Sequence, residues 1–128
     1  MITIDIETED DIIYARSEAR RLAQELGLSL MDKTRLATAV SELARNIYKY
    51  ASTGLVEIEA LSDGKSGVRC RFIDEGPGIG NIDQVMQDGF SSGKSLGYGL
   101  PGAKRLADEF SIVSELGKGT QIEIVKWK

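Results

Sequence analysis

The stretch Asp74-Glu75-Gly76-Pro77-Gly78-Ile79-Gly80 directly follows a strand pattern and sets the interpretation of the whole chain. In residues 68–72 apolar and basic side chains alternate, and the strand pattern runs to Ile73, so Asp74 falls at the carboxyl end of a strand. A carboxylate there can accept a hydrogen bond from the exocyclic amino group of adenine, and alternating glycines let the backbone approach a flat base. The same residues are good chemistry for an ordinary tight turn, so the stretch alone leaves both interpretations open.

A second motif, Ser41-Glu42-Leu43-Ala44-Arg45-Asn46, lies inside a helical pattern. Glu42, Asn46 and Lys49 are spaced i, i+4 and i+7, which predicts that they share one face beside the apolar stripe. The amide oxygen of Asn46 can ligate Mg²⁺, Lys49 can neutralise phosphate charge, and Glu42 can accept the proton of an attacking hydroxyl. A solvated helix face is the alternative, although asparagine is a poor helix former.

A third motif, the glycine-rich run 93–99, precedes Leu100-Pro101 at the start of another helix. Glycines before a helix N-terminus present free N–H groups to a phosphate, whereas a flexible loop with a capped helix is the alternative. The pattern is neither a Walker loop nor a dinucleotide fingerprint. Residues 88–94 are predicted to form a mobile lid. Together the motifs predict a Mg-ATP pocket with one catalytic base, Glu42, and these nucleotide-binding residues: Asn46, which also holds Mg²⁺, Lys49, Asp74, Gly76, Gly78, Ile79, Lys94, Ser95, Gly97, Tyr98, Gly99, Leu100 and Thr120.

Thr120 belongs to this set because it follows Gly119 at the start of a strand pattern. A hydroxyl in that position could join Asp74 around the adenine. A plain strand threonine is the alternative.

Hydrophobic periodicity predicts the order β-α-α-β-β-α-β-β and hence an α+β two-layer sandwich, with three main helices on one face of a mixed β-sheet. We expect a single domain spanning residues 1–128. The predicted segments are a strand at 2–6, helices at 9–26 and 30–50, strands at 56–60 and 68–73, a short helical piece at 82–87, a helix at 100–109, and strands at 111–114 and 120–125.

The composition excludes several classes of function. The formal net charge of −4 argues against broad binding to nucleic acid or anionic membranes. No apolar run reaches the roughly 20 residues of a membrane span, and the first residues lack the basic region of a signal peptide, so we expect a cytoplasmic protein. The chain has no histidine, which removes Ser-His-Asp catalysis and histidine-ligated zinc. The single Cys70 is expected to face the core.

The three motifs in this order resemble the N, G1, G2 and G3 boxes of the GHKL ATPase superfamily, whose Bergerat nucleotide fold is shared by gyrase B, Hsp90, histidine kinases and MutL. Within it, three segments are similar to RsbT-type switch kinases: residues 41–47, 86–91 and 97–110. The resemblance covers nearly the whole chain. It implies that Glu42 is the base, that Asn46 holds Mg²⁺, that Asp74 binds adenine, and that residues 97–99 meet the phosphates.

The resemblance also implies a function, that of a serine/threonine protein kinase using Mg-ATP. Such kinases phosphorylate STAS-domain proteins of the RsbS and RsbR type within stressosomes. They then leave that complex and activate a downstream partner, commonly a PP2C-type phosphatase.

Three alternatives to this function stay open. One is an anti-sigma factor kinase of the SpoIIAB or RsbW type, although those usually carry Asn-Ala where this chain has Asn46-Ile47. Another is a non-catalytic ATP-gated binding module, against which the intact Glu42 and Asn46 speak. The third is the catalytic half of a histidine kinase, which lacks support because the chain has no histidine and no dimerisation helix pair.

Overall fold

The computed structural model describes residues 1–78 and 99–128. Within them, three helices pack on one face of a five-stranded sheet with the order β1-β2-β3-β5-β4. The elements are β1 (Ile2–Ile6), α1 (Glu9–Glu25), α2 (Leu30–Asn46), a π-helical turn (Ile47–Ala51), β2 (Gly54–Ser62), β3 (Ser66–Asp74), α3 (Leu100–Leu106), β4 (Glu109–Glu115) and β5 (Gly119–Trp127).

Side-chain patterns along the helices and strands explain the two layers. On β3, Val68, Cys70 and Phe72 point into the core, while Arg69 and Arg71 alternate with them on the opposite face. That outer face carries ion pairs between neighbouring strands, such as Arg71 Nε with Glu123 Oε1 at 2.7 Å. Cys70 is fully buried as expected, and burial raises the pKa of its thiol to about 12. The helices bury small and branched residues against the apolar face of the sheet: Ile12, Ala15, Ala19 and Ala23 from α1, Leu36, Ala39, Val40, Leu43 and Ala44 from α2, and Leu100 and Ala103 from α3.

The predicted α+β class and its three helices on one face are confirmed, but the prediction of a mixed sheet is wrong. Every strand pairing among the described residues is antiparallel. β3 and β4 run in the same direction, because each is antiparallel to β5. β5 lies between them, so β3 and β4 form no parallel pair.

Two helix ends differ from the sequence prediction. The third helix was expected to reach Glu109 but ends at Leu106. The reason is Asp108, whose N–H donates to the Val125 carbonyl at 2.9 Å and whose carboxylate accepts from the Trp127 N–H at 2.7 Å. These bonds fix the chain to β5 and begin β4. The second helix, expected to run to Tyr50, is α-helical only to Asn46 and continues as the wider π-helical turn.

Both long helices begin with a side-chain cap. The Thr8 hydroxyl accepts from the Asp11 N–H, and the Asp11 carboxylate accepts from the Thr8 N–H, which together form a capping box. Ser29 accepts from the Asp32 N–H at 3.1 Å at the start of α2. These caps fix where α1 and α2 begin. No helix of the described residues is long and apolar enough to cross a membrane.

Candidate functional site

A cavity opens where the end of α2, the end of β3, the start of α3 and the start of β5 meet. It brings together five residues of the predicted set, namely Asn46, Asp74, Gly78, Leu100 and Thr120. The rest of its lining is mainly apolar and was not predicted: Leu43, Ile47, Tyr50, Ala51, Phe72, Pro77 and Ile122. A mainly apolar cavity with a few convergent polar groups is the usual form of a small-molecule site.

Asp74 is the acidic group of this cavity. Its half-buried carboxylate accepts a 2.9 Å hydrogen bond from the Gly76 N–H. Burial raises the pKa of Asp74, and hydrogen bonds from the backbone N–H groups of Gly76 and Thr120 partly oppose that rise. The hydrogen bond from the Gly76 N–H holds the carboxylate in one orientation. That orientation suits an acceptor for a single amino group of a ligand.

The glycines after Asp74 allow close packing of the turn. A Cβ at Gly76 would lie 2.5 Å from the Cβ of Ala51, on the π-helical turn. Gly78 has a φ of +74°, and a Cβ there would overlap the carbonyl of Glu115. The turn is also tied to the β4–β5 hairpin, because the Gly117 N–H donates to the Pro77 carbonyl at 2.7 Å. Both glycines are therefore required by the space around them.

Thr120 faces Asp74 across the β3–β5 pair, and its hydroxyl lies 2.7 Å from the hydroxyl of Ser114. Ser114 Oγ also donates to the Gly119 carbonyl at 3.0 Å. A serine hydroxyl has one proton, so Thr120 is the donor in the 2.7 Å bond. The Thr120 oxygen is then left as an acceptor. Sequence reasoning missed Ser114. The signal was the hairpin register that pairs it with Thr120.

The side chain of Glu42, on α2, lies next to the residue that precedes α3. A Cβ on Gly99 would lie 2.9 Å from Glu42 Oε2, and Gly99 has a φ of +67°. The structure thus brings the predicted base next to the last glycine of the third motif. Glu42 Oε1 also lies 3.8 Å from Nη1 of Arg45, with the Glu42 side chain 45% exposed.

Lys49 does not line the cavity. It lies in a separate groove with Glu9 and Tyr48, and its Nζ lies 5.5 Å from the centre of the Tyr50 ring. The i, i+7 argument assumed an uninterrupted period of 3.6 residues. The π-helical turn after Asn46 has a longer period and rotates Lys49 about the helix axis.

Five predicted site residues fall outside the described ranges: Ile79, Lys94, Ser95, Gly97 and Tyr98. The predicted lid at 88–94 and the helical piece at 82–87 lie there as well. Their roles stay predictions.

The donor set suits a magnesium ion held mainly by a nucleotide. Among residues 1–78 and 99–128, no group of three or more acidic or cysteine side chains could hold a metal by itself. Mg²⁺ commonly keeps several waters and takes one or two protein oxygens together with phosphates. Asn46 lines the cavity, and a single amide oxygen is the kind of ligand that fits this limited role.

Comparison with known proteins defines the class of this chain. Residues 7–126 match the model of the histidine kinase-like ATPase domain, and the chain belongs to that family. It is 52% identical, over 97% of its own length and 94% of the relative's, to the serine/threonine-protein kinase RsbT of Bacillus subtilis. The recognition of an RsbT-type kinase of the GHKL superfamily is thereby confirmed.

Relatives with lower sequence identity include anti-sigma F factors. The chain is 33% identical to an anti-sigma F factor of Clostridium kluyveri, over 88% of this chain and 83% of that protein. It is 30% identical to an anti-sigma F factor of Thermoanaerobacter, over 89% of this chain and 83% of that protein.

Solved structures confirm the fold. Full-length ShkA in complex with AMPPNP matches with a TM-score of 0.58 at 21% identity, over 98% of this chain and 31% of ShkA. The mycobacterial sensor histidine kinase MprB matches with a TM-score of 0.57 at 19% identity, over 98% of this chain and 96% of the MprB chain.

Proposed function

We propose that this chain is a serine/threonine protein kinase that transfers the γ-phosphate of Mg-ATP to STAS-domain proteins of a stressosome. The observation that carries the proposal is the position of Glu42 against Gly99, at the start of α3, which also contributes Leu100 to the cavity lined by Asn46 and Asp74. The likeness to RsbT supports the same activity.

In this proposal the nucleotide base occupies the cavity beside Asp74 and Thr120. The Asp74 carboxylate and the Thr120 hydroxyl accept from the exocyclic amino group, and Gly76 and Gly78 keep the turn close to the ring. Burial against apolar walls strengthens these bonds because water competes less for the same groups. The glycine-rich run ending at Gly99, with the backbone at Leu100 and with Lys94, Ser95, Gly97 and Tyr98, contacts the phosphates.

Glu42 acts as the base. Its carboxylate takes the proton of a serine or threonine hydroxyl while that oxygen forms a bond to the γ-phosphorus. The bond from the γ-phosphorus to the β,γ-bridging oxygen breaks, and ADP leaves. Asn46 would hold Mg²⁺, which supplies positive charge to the phosphate oxygens when bound.

After transfer, we propose, the kinase leaves the STAS complex and activates a downstream effector such as a PP2C-type phosphatase. The cytoplasm is the proposed compartment. Both parts rest on the likeness to RsbT-type kinases, not on the geometry of the cavity.

The experiment is phosphate transfer from labelled Mg-ATP to a purified STAS-domain protein, with Glu42→Gln as the control. We expect phosphoserine or phosphothreonine with the wild type and a large loss with the variant. A Glu42→Gln protein that still transfers phosphate would overturn the assignment of the base. ATP binding without any transfer would favour the ATP-gated binding module.

An anti-sigma factor kinase is the second candidate, favoured by the 30–33% identity to anti-sigma F factors. Retention of a purified sigma subunit by the immobilised, nucleotide-loaded chain would support it. Retention of the STAS protein alone supports the first proposal.

A further inference from the structure

A basic groove runs between α1 and α2, on the side of α2 away from the nucleotide cavity. Three arginines and several hydroxyls line it: Arg16, Arg20, Thr34, Thr38, Ser41 and Arg45. The whole chain has a net charge of −4, so the positive charge of this groove is opposite in sign to that of the chain as a whole. Guanidinium and hydroxyl groups in one groove favour carboxylate or phosphate ligands.

Arg16 and Arg20 have no carboxylate partner among the described residues, whereas nearby arginines do. On the same helix, Arg21 pairs with Glu18 at 3.1 Å and with Glu25. On α2, Arg35 pairs with Asp32 at 3.4 Å. Both Arg16 and Arg20 are exposed and one helical turn apart, so they can contact the same ligand.

The groove leads to the proposed base. At 100° per residue, Thr38, Ser41 and Arg45 lie on one side of Glu42, and Asn46 lies on the other. The ion pair of Arg45 with Glu42 at 3.8 Å is the direct link between groove and base. A chain segment in the groove would therefore pass Glu42 on the side opposite to the cavity wall.

We propose that this groove is the docking site for an acidic segment of the protein substrate. The segment places carboxylates on Arg16, Arg20 and Arg45, and thereby presents its neighbouring serine or threonine hydroxyl to Glu42. From Thr34 to Arg45 the groove is about 16 Å long, which matches roughly five residues of extended chain. The inference rests on the proposed kinase function and adds the chemistry that selects the substrate.

Opposite charge favours this occupant over the others. A nucleic acid would meet the repulsion of a chain with net charge −4. A free phosphate would use the arginines but would not explain why the groove extends along α2 to Glu42. An acidic peptide uses both the charge and the length.

The test compares two double variants that remove the same charge. Arg16→Gln with Arg20→Gln removes the two groove arginines that have no carboxylate partner among the described residues. Arg21→Gln with Arg35→Gln removes two arginines that already have carboxylate partners and serves as the matched control. Glutamine keeps most of the side-chain length and the helix propensity.

Three quantities are measured for each protein: the Kd of the STAS-domain protein for the ADP-loaded kinase at several salt concentrations, the KM and kcat of transfer, and the Kd of ADP. For the groove variant we expect the Kd and the KM for the STAS protein to rise about tenfold or more, with a flatter salt dependence. The kcat and the Kd of ADP stay within about twofold of wild type, as do all values for the control.

Each other outcome overturns the proposal in a recognisable way. Unchanged STAS binding by the groove variant shows that the segment docks elsewhere, while transfer by the wild type leaves the kinase function intact. An equal loss in both double variants means general charge attraction, and a weaker affinity for ADP would assign the groove to the nucleotide site. If the wild type binds the STAS protein through the groove but transfers no phosphate, the proposed kinase function is wrong and the proposed docking site still holds. A wild type that does not bind the STAS protein overturns the docking proposal.

Discussion

The Gly76 N–H donates a 2.9 Å hydrogen bond to Oδ1 of Asp74, two residues earlier in the chain. The Thr120 backbone N–H, across the β3–β5 pair, also lowers the pKa of this carboxyl and so opposes the effect of burial. A half-buried carboxylate is thus held by one local amide, and its pKa is lowered by a second amide from a distant strand. The arrangement links the first sequence motif to β5.

Asp74→Asn should weaken ATP binding by about 10- to 100-fold, or about 1–3 kcal/mol, because the adenine amino group loses an anionic acceptor. The amide oxygen of asparagine can still accept from Gly76, so the fold should persist. Calorimetric titration with ATP measures the change, and circular dichroism checks the fold. An affinity within threefold of wild type would contradict the role of Asp74.

Acid should weaken nucleotide binding by the wild type at a higher pH than an ordinary aspartate would allow. Burial raises the pKa of Asp74, and the protonated carboxyl is a poorer acceptor. Protonation of Asp74 weakens nucleotide binding, but it stabilises the folded state of the nucleotide-free protein. A raised pKa means that the folded state takes up the proton more readily, so the nucleotide-free protein gains stability relative to Asp74→Asn as the pH falls through that pKa. Titrations and thermal melts of both proteins across acidic pH measure the two trends. Parallel pH curves for the two proteins would contradict both.

Gly78→Ala should destabilise the fold more than Gly64→Ala. Both glycines have a left-handed backbone, with φ of +74° and +78°, so both substitutions cost about 1–2 kcal/mol in backbone strain. Only the methyl group at Gly78 would overlap the Glu115 carbonyl, since nothing lies within 4 Å of a Cβ at Gly64. Chemical denaturation gives the two free energies of unfolding. Equal losses would mean that the turn can move away from the β4–β5 hairpin.

Asn46→Ala should leave the melting temperature of the nucleotide-free protein nearly unchanged while lowering Mg²⁺-dependent phosphate transfer on the order of 100-fold. The physical reason is the loss of the protein oxygen that orients the ion. Melting curves and transfer assays over a range of Mg²⁺ concentrations separate the effects. A large drop in the melting temperature would mean that Asn46 is structural.

Ser114→Ala should reduce the preference for adenine over guanine nucleotides. Without Ser114 as the acceptor, the Thr120 hydroxyl can rotate and donate its proton toward the cavity, where guanine presents a carbonyl. Ser111→Ala, at an exposed position of the same strand, is the matched control. The ratio of the Kd values for ADP and GDP is the measurement. A loss of affinity that is equal for both nucleotides would show that Ser114 only supports the hairpin.

Prediction from sequence worked where a residue's role depends on its immediate neighbours. Asp74 was placed at a strand end by the alternation before it, and Glu42 and Asn46 were placed on one helix by the apolar period around them. It did not foresee that Lys49 lies outside the cavity lining, because the change to a π-helical turn after Asn46 leaves no mark in the apolar period. It also missed Ser114, whose position follows from the register of β4 on β5.

The sequence by itself determined the helices and most of the strand positions, the acidic strand end with its glycines, and the helix carrying Glu42 and Asn46. Each follows from spacing within one segment. Only the tertiary structure decided that β5 lies between β3 and β4, that Thr120 meets Asp74, and that Arg16 and Arg20 share a groove with Arg45. These relations join residues far apart in the chain, so they depend on how the helices pack on the sheet and on which strand edges pair.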